Sequence, residues 1–81
     1  MTAPKRLGRP RAVEIETGTG GVPLRVGAAP VDSVLEDWLV EDRWWTDRPV
    51  RRRYLELVLE NGRCVLVFRE LASGRWFTQR G

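Results

Sequence analysis

The stretch Glu41 to Tyr54, EDRWWTDRPVRRRY, concentrates the residue types best suited to holding a ligand. Trp44 and Trp45 come first, then arginines ending in Arg51, Arg52 and Arg53, then Tyr54. Indole and phenol rings offer faces for stacking, and the guanidinium fork fits phosphate, carboxylate and aromatic partners. The stretch holds no serine, histidine, cysteine or glycine. Its chemistry is therefore that of binding a planar or anionic group, and it is poor material for catalysis.

The rest of the composition points the same way. The chain has no histidine and one cysteine, Cys64, which cannot supply the four N/S ligands of a zinc site or a disulfide. Ser-His-Asp and Cys-His mechanisms are excluded on the same count. Gly18-Thr19-Gly20-Gly21 lacks the lysine and the strand–helix setting of a phosphate loop. No acids form a matched acid–base motif. The expectation is a non-enzymatic protein with no cofactor and no metal. No charged-then-apolar leader and no apolar run of ~18 residues are seen, so neither secretion nor membrane spanning is indicated. A lone thiol fits a reducing cytoplasm.

Charge is segregated along the chain. The first 11 residues carry four basic side chains and no acid, residues 12–42 carry seven acids against Arg25, and residues 43–53 carry five arginines against Asp47. Such blocks can mark an electrostatic footprint. The plainer reading, favoured for most of these arginines, is a solvated pattern, since ordinary surface charges contribute little. Arg51, Arg52 and Arg53 have two outlets: an external anion, or the acidic block containing Glu36, Asp37, Glu41 and Asp42.

The elements that must position these residues read as strands. Residues 1–10, with two prolines and no periodicity, form a flexible basic arm, and residues 11–81 form a single domain. At this length folding buries only roughly 60–65% of the surface of the unfolded chain. Ala12 to Thr17 alternates Val13 and Ile15 with glutamates, and Val22 to Val26 returns after the glycine turn as its hairpin partner. Val31 to Val40 is ambiguous. Val31, Val34, Leu35, Trp38 and Leu39 fall at helical spacing, yet Val34, Glu36, Trp38 and Val40 alternate, and the all-β character of the remainder favours a strand.

Arg52 to Glu60, Asn61-Gly62 and Arg63 to Glu70 give a hairpin signal, since Asn-Gly suits both positions of a type I′ turn. A two-residue loop pairs Leu59 with Cys64, Leu57 with Leu66 and Leu55 with Phe68, an apolar core face that makes Cys64 a buried structural thiol. Continuing through the Leu71–Gly74 turn, Glu70 meets Arg75, Phe68 meets Phe77 and Arg69 meets Trp76. The second face then carries a row of Tyr54, Arg69 and Trp76, a cation between two rings. Alternation places Arg52 with Tyr54, and Arg51 and Arg53 on the core side past its edge. It also sends Trp44 and Trp45 to opposite faces, one into the core and one to the rim. In the plainest alternative, three or all four of the tryptophans are simply core.

Three segments, VLEDWLVEDRWW (Val34 to Trp45), RRRYLELVLENGRCVLVFREL (Arg51 to Leu71) and GRWFTQR (Gly74 to Arg80), resemble a small bacterial domain of unassigned function. That domain is found alone or fused behind the polymerase-like region of ImuB-type proteins, the catalytically inactive relatives of Y-family translesion polymerases. The likeness spans about residues 11–80 and rests on Trp38, Trp44-Trp45, Arg52, Tyr54 and Gly74-Arg75-Trp76. It implies a DNA-damage-tolerance setting, a mutasome in which an ImuB-like protein, a RecA-like accessory and an error-prone replicative polymerase act together. It implies no catalytic residues.

The expected architecture is all-β, a small antiparallel barrel or strongly bent sheet of about five or six strands. The expected function is a cytoplasmic accessory of translesion synthesis and DNA repair that docks onto an ImuB-like or polymerase partner through Arg52, Tyr54, Arg69 and Trp76. The alternative is direct binding of single-stranded DNA, with Trp44, Trp45 or Trp76 stacking on bases and Arg51, Arg52 and Arg53 on phosphates.

Overall fold

A computed structural model describes residues 10–42, 47 and 49–79. The predicted arm, Pro10 aside, and the Trp44-Trp45 pair lie outside the described residues. The elements are β1 (Arg11–Ala12), β2 (Ile15–Thr17), a short 3₁₀ turn (Thr19–Gly21), β3 (Pro23–Val26), β4 (Ala29–Asp42), β5 (Val50–Leu59), β6 (Cys64–Glu70) and β7 (Trp76–Gln79). The seven strands among the described residues are antiparallel, in the order β1-β7-β6-β5-β4-β3-β2. The all-β reading holds, with Val31–Val40 inside a 14-residue strand.

One predicted strand is two. Ala12–Thr17 splits, because β1 pairs with β7 at one edge of the sheet while β2 pairs with β3 at the other. Only Val13 and Glu14 join them. Three Cα steps reach about 10 Å at most, so the opposite edges are drawn together and the sheet rolls into a half-barrel. Backbone bonds fix the crossing: Val13 N–H donates to Trp76 O at 3.1 Å, and Gly27 N–H to Glu14 O at 2.8 Å.

Inside the curl, Leu55, Leu57 and Val67 form the core, with Ile15, Val26, Val31, Val65 and Trp76 packed against them. Strand β4 supplies its share through two bulges. Val31 opposes Leu59, Ser33 opposes Val58, Val34 opposes Leu57 and Glu36 opposes Glu56, so Asp32 and Leu35 are the extra residues. Each bulge reverses the phase of alternation and bends the strand. Val31 and Val34 therefore share the inner face although three residues apart, which accounts for that step of the helix-like spacing in a strand.

The β5–β6 hairpin corrects the predicted register by one residue. Val58 opposes Cys64, Leu57 opposes Val65, Leu55 opposes Val67 and Tyr54 opposes Phe68. The loop is Glu60-Asn61-Gly62: Gly62 N–H donates to Leu59 O at 2.9 Å and Leu59 N–H to Arg63 O at 2.8 Å. Gly62 takes φ 87°, the left-handed position of a three-residue loop with a bulge, and Asn61 Oδ1 accepts the Arg63 N–H at 2.9 Å. Asn-Gly suits either loop; packing chooses this one, because it aligns Tyr54 with Phe68 and Phe77 instead of with Arg69 and Trp76.

Cys64 accordingly faces Val58 on the outer side and is exposed, contrary to the buried thiol expected. A thiol reagent should modify it in the folded protein at a rate within about tenfold of that in denaturant, whereas protection of ~100-fold or more would restore the Leu59–Cys64 pairing. The β6–β7 register is as predicted, with Phe68 opposite Phe77 and Arg69 opposite Trp76.

Candidate interaction surface

Alternation along β5 distributes its arginines to two faces. Arg51 and Arg53 continue the Leu55–Leu57–Leu59 side beyond the end of the core, where both are exposed. There they meet the acidic block of β4. Arg53 makes a bidentate pair with Asp37, Nε to Oδ1 at 2.8 Å and Nη2 to Oδ2, and Arg51 Nη2 lies 3.3 Å from Glu41 Oε1. The Arg53 hydrogen bond holds the Asp37 carboxyl below the usual aspartate range, and Asp37 in turn raises Arg53. Of the two outlets open to these arginines in the sequence, the intramolecular one is filled. Such exposed pairs orient strands and contribute only about 0–1 kcal/mol each.

The predicted Tyr54–Arg69–Trp76 row does not form. Arg69 and Trp76 sit on the inner-face side with Arg53, the Arg69 guanidinium 5.8 Å from the Trp76 ring centre. Arg52 and Tyr54 sit on the outer face. The four proposed anchors thus belong to two surfaces, a consequence of the one-residue register change.

On the outer face the corrected register builds a different row. Trp38, Tyr54, Phe68 and Phe77, one from each of β4 to β7, lie side by side. Ring centres are 5.5 Å apart for Trp38–Tyr54, with planes 8° from parallel, and 5.1 Å for both Tyr54–Phe68 and Phe68–Phe77. Two guanidinium groups cap the row, Arg52 at 4.7 Å over Phe68 and Arg75 at 5.4 Å over Phe77. The Tyr54 hydroxyl accepts a long bond from Arg52 Nη1 at 3.5 Å and donates to Gln79 Oε1 at 3.4 Å. Arg52 Nε is buried and, among the described residues, has no acceptor. Arg52 is therefore held mainly by ring contact and by its stem, and it is half-buried rather than reaching outward.

The rows flanking the aromatics carry both signs of charge. One is Val40, Arg52 and Glu70, followed by Arg75, whose carbonyl accepts the Glu70 N–H at 2.8 Å. The other sets Glu36 directly against Glu56, followed by Leu66 and Gln79. Like charges directly opposed across strands are unfavourable. No basic side chain among the described residues forms a salt bridge with either glutamate. The face is thus aromatic with three glutamates against two arginines, and it does not present a continuous cationic track.

Trp38 and Leu39 are not singled out by sequence as surface residues, yet Trp38 stands at the open end of this row, 37% exposed, and Leu39 follows it on the opposite face beside Arg53, 51% exposed. Val34 and Leu35 of the same strand are also exposed. The signal that could have found them is a length mismatch. Strand β3 has four residues and β4 has 14, and β3 pairs only with Ala29 and Pro30. Among the described residues nothing pairs with residues 31–42 of β4 along that edge.

A shallow cleft of about 750 Å³ lies at the β1–β2 crossing, lined in part by Val13, Glu14, Ile15, Arg25, Arg75 and Trp76. Arg25 there pairs with Glu16 at 3.4 Å. Among the described residues no three metal-ligating side chains cluster, and no helix is long and apolar enough to cross a membrane. Comparisons with protein-family models, with curated proteins and with solved structures give no match.

Proposed function

We propose that this chain is a non-enzymatic interaction module that docks onto a protein partner, in the translesion-synthesis and DNA-repair setting implied by its likeness to the ImuB-associated domain. The observation that carries the docking reading is the concentration of exposed apolar side chains, Val34, Leu35, Trp38 and Leu39, on one strand with an open edge. A small domain that cannot bury such residues itself offers them to another surface. The arginines support the same reading over the single-stranded DNA alternative. Arg51 and Arg53 are taken up by Glu41 and Asp37, and Glu36, Glu56 and Glu70 lie beside the aromatic row, where a phosphate backbone would meet repulsion.

The test combines Trp38→Ala with Leu39→Ser. Both side chains are substantially exposed, so the fold is expected to survive, while co-purification with an ImuB-like protein should be lost. Unchanged co-purification would count against protein docking here. Tight, steeply salt-sensitive binding of a labelled single-stranded oligonucleotide, abolished in the same variant, would favour the DNA reading instead.

A further inference from the structure

Beyond its second bulge β4 becomes regular. From Glu36 to Asp42 it pairs residue for residue with β5, without a break, while its other edge is open among the described residues. A regular strand presents every second N–H and C=O to such an edge, and proteins ordinarily cover or blunt it. The bulges blunt residues 31–35 and leave Glu36–Asp42 as the straight portion.

We infer that this edge accepts an extended segment of a partner protein as an added strand, and that the segment carries a basic residue two positions from an aromatic one. The inference rests on the docking reading above and specifies its chemistry. A strand laid along the edge continues the outer-face rows outward. Opposite Trp38 it places a side chain against a ring whose other face is already stacked on Tyr54, which an aromatic residue fits best. Two positions away, opposite Glu36, it places a side chain beside the unneutralised Glu36–Glu56 pair, which only Lys or Arg relieves. Opposite Leu39 and Val40 it meets apolar side chains on both faces, so two apolar residues complete a pattern of basic, any, aromatic, apolar, apolar.

Charge also opposes a second copy of this chain in the register that overlaps the whole regular portion. Residues 36–42 hold Glu36, Asp37, Glu41 and Asp42 and no basic residue. A symmetric antiparallel pairing about Leu39 would set Glu36 against Asp42 and Asp37 against Glu41. Acids on an exposed edge oppose self-association, and here the same acids select a basic strand.

The experiment is a fluorescence-anisotropy titration of the full chain with labelled Thr-Lys-Thr-Trp-Val-Val-Thr and with its reverse, covering parallel and antiparallel addition. One of the two should bind. Glu36→Lys, which creates an internal partner for Glu56 and keeps the fold, should weaken that binding about tenfold or more. N-methylation of alternate peptide nitrogens, tried in both phases, should abolish it in one phase only, because only one set of N–H groups faces the edge. Binding indifferent to N-methylation in both phases would overturn strand addition. So would binding unchanged in Glu36→Lys, or tighter binding of a peptide with Glu in place of Lys. A concentration-dependent dimer lost on Leu39→Lys would overturn it in favour of self-pairing. If neither peptide binds while the Trp38/Leu39 double variant still loses the ImuB-like protein, this inference fails and the docking reading stands; if that variant also keeps its partner, both fail.

Discussion

Phe68→Ala is expected to lower stability by about 3–5 kcal/mol, the range for removing a buried phenyl ring. Phe68 is 1% exposed although it lies on the outer side of the curl, away from the Leu55–Leu57–Val67 cluster. Tyr54 and Phe77 flank it and the Arg52 guanidinium lies over its ring. Removing the ring leaves a cavity and takes from Arg52, already short of an acceptor, its main contact. A domain of this length has roughly 4–12 kcal/mol in total at the usual 0.05–0.15 kcal/mol per residue. The variant therefore stands near the unfolding threshold, its melting temperature lowered by about 12–40 °C. Urea and thermal unfolding followed by circular dichroism measure this directly. A loss under about 1 kcal/mol would mean that the aromatic row is surface decoration and that the inner cluster alone holds the fold.

How far the sequence discloses this arrangement depends on the element. The β6–β7 pairing is legible in full, because Leu71–Gly74 turns the chain and sets Glu70 against Arg75 with both flanking aromatics in step. The β5–β6 pairing is legible to within one residue, since Asn61-Gly62 fits a two-residue or a three-residue loop equally by local chemistry. That residue changes the reading of the site. It moves Arg69 and Trp76 to the inner-face side, exposes Cys64 and assembles the aromatic row. In β4, Asp32 and Leu35 leave no compositional trace as bulges, yet they decide which apolar residues turn inward. Bulges and loop lengths are settled by which register buries most surface across four strands, a non-local quantity that no window of the sequence contains. The open edge of β4 follows from pairing lengths and is likewise invisible until the strands are laid side by side.

Leu57→Ala probes the opposite face of the same sheet and is expected to cost about 2–5 kcal/mol. Leu57 is fully buried, opposite Val65 on one side and Val34 on the other. Its side chain and that of Phe68 leave the sheet in opposite directions, with the backbone between them. Without shared partners the two losses should add to within about 0.5 kcal/mol. Their sum, roughly 5–10 kcal/mol, is comparable to the whole stability of such a domain, so the double variant should be largely unfolded unless an excluded osmolyte is present. Coupling above about 1 kcal/mol would mean instead that the thin sheet transmits a defect from one face to the other. The two single variants also separate stability from docking. Compared at a temperature where each is folded, Leu57→Ala should hold a partner strand as the parent does, because its cavity opens inside the curl. Phe68→Ala should hold it more weakly, because the row that supports Tyr54 and then Trp38 has lost its centre. Equal weakening in both would place the docking surface under the control of overall stability rather than of the aromatic row.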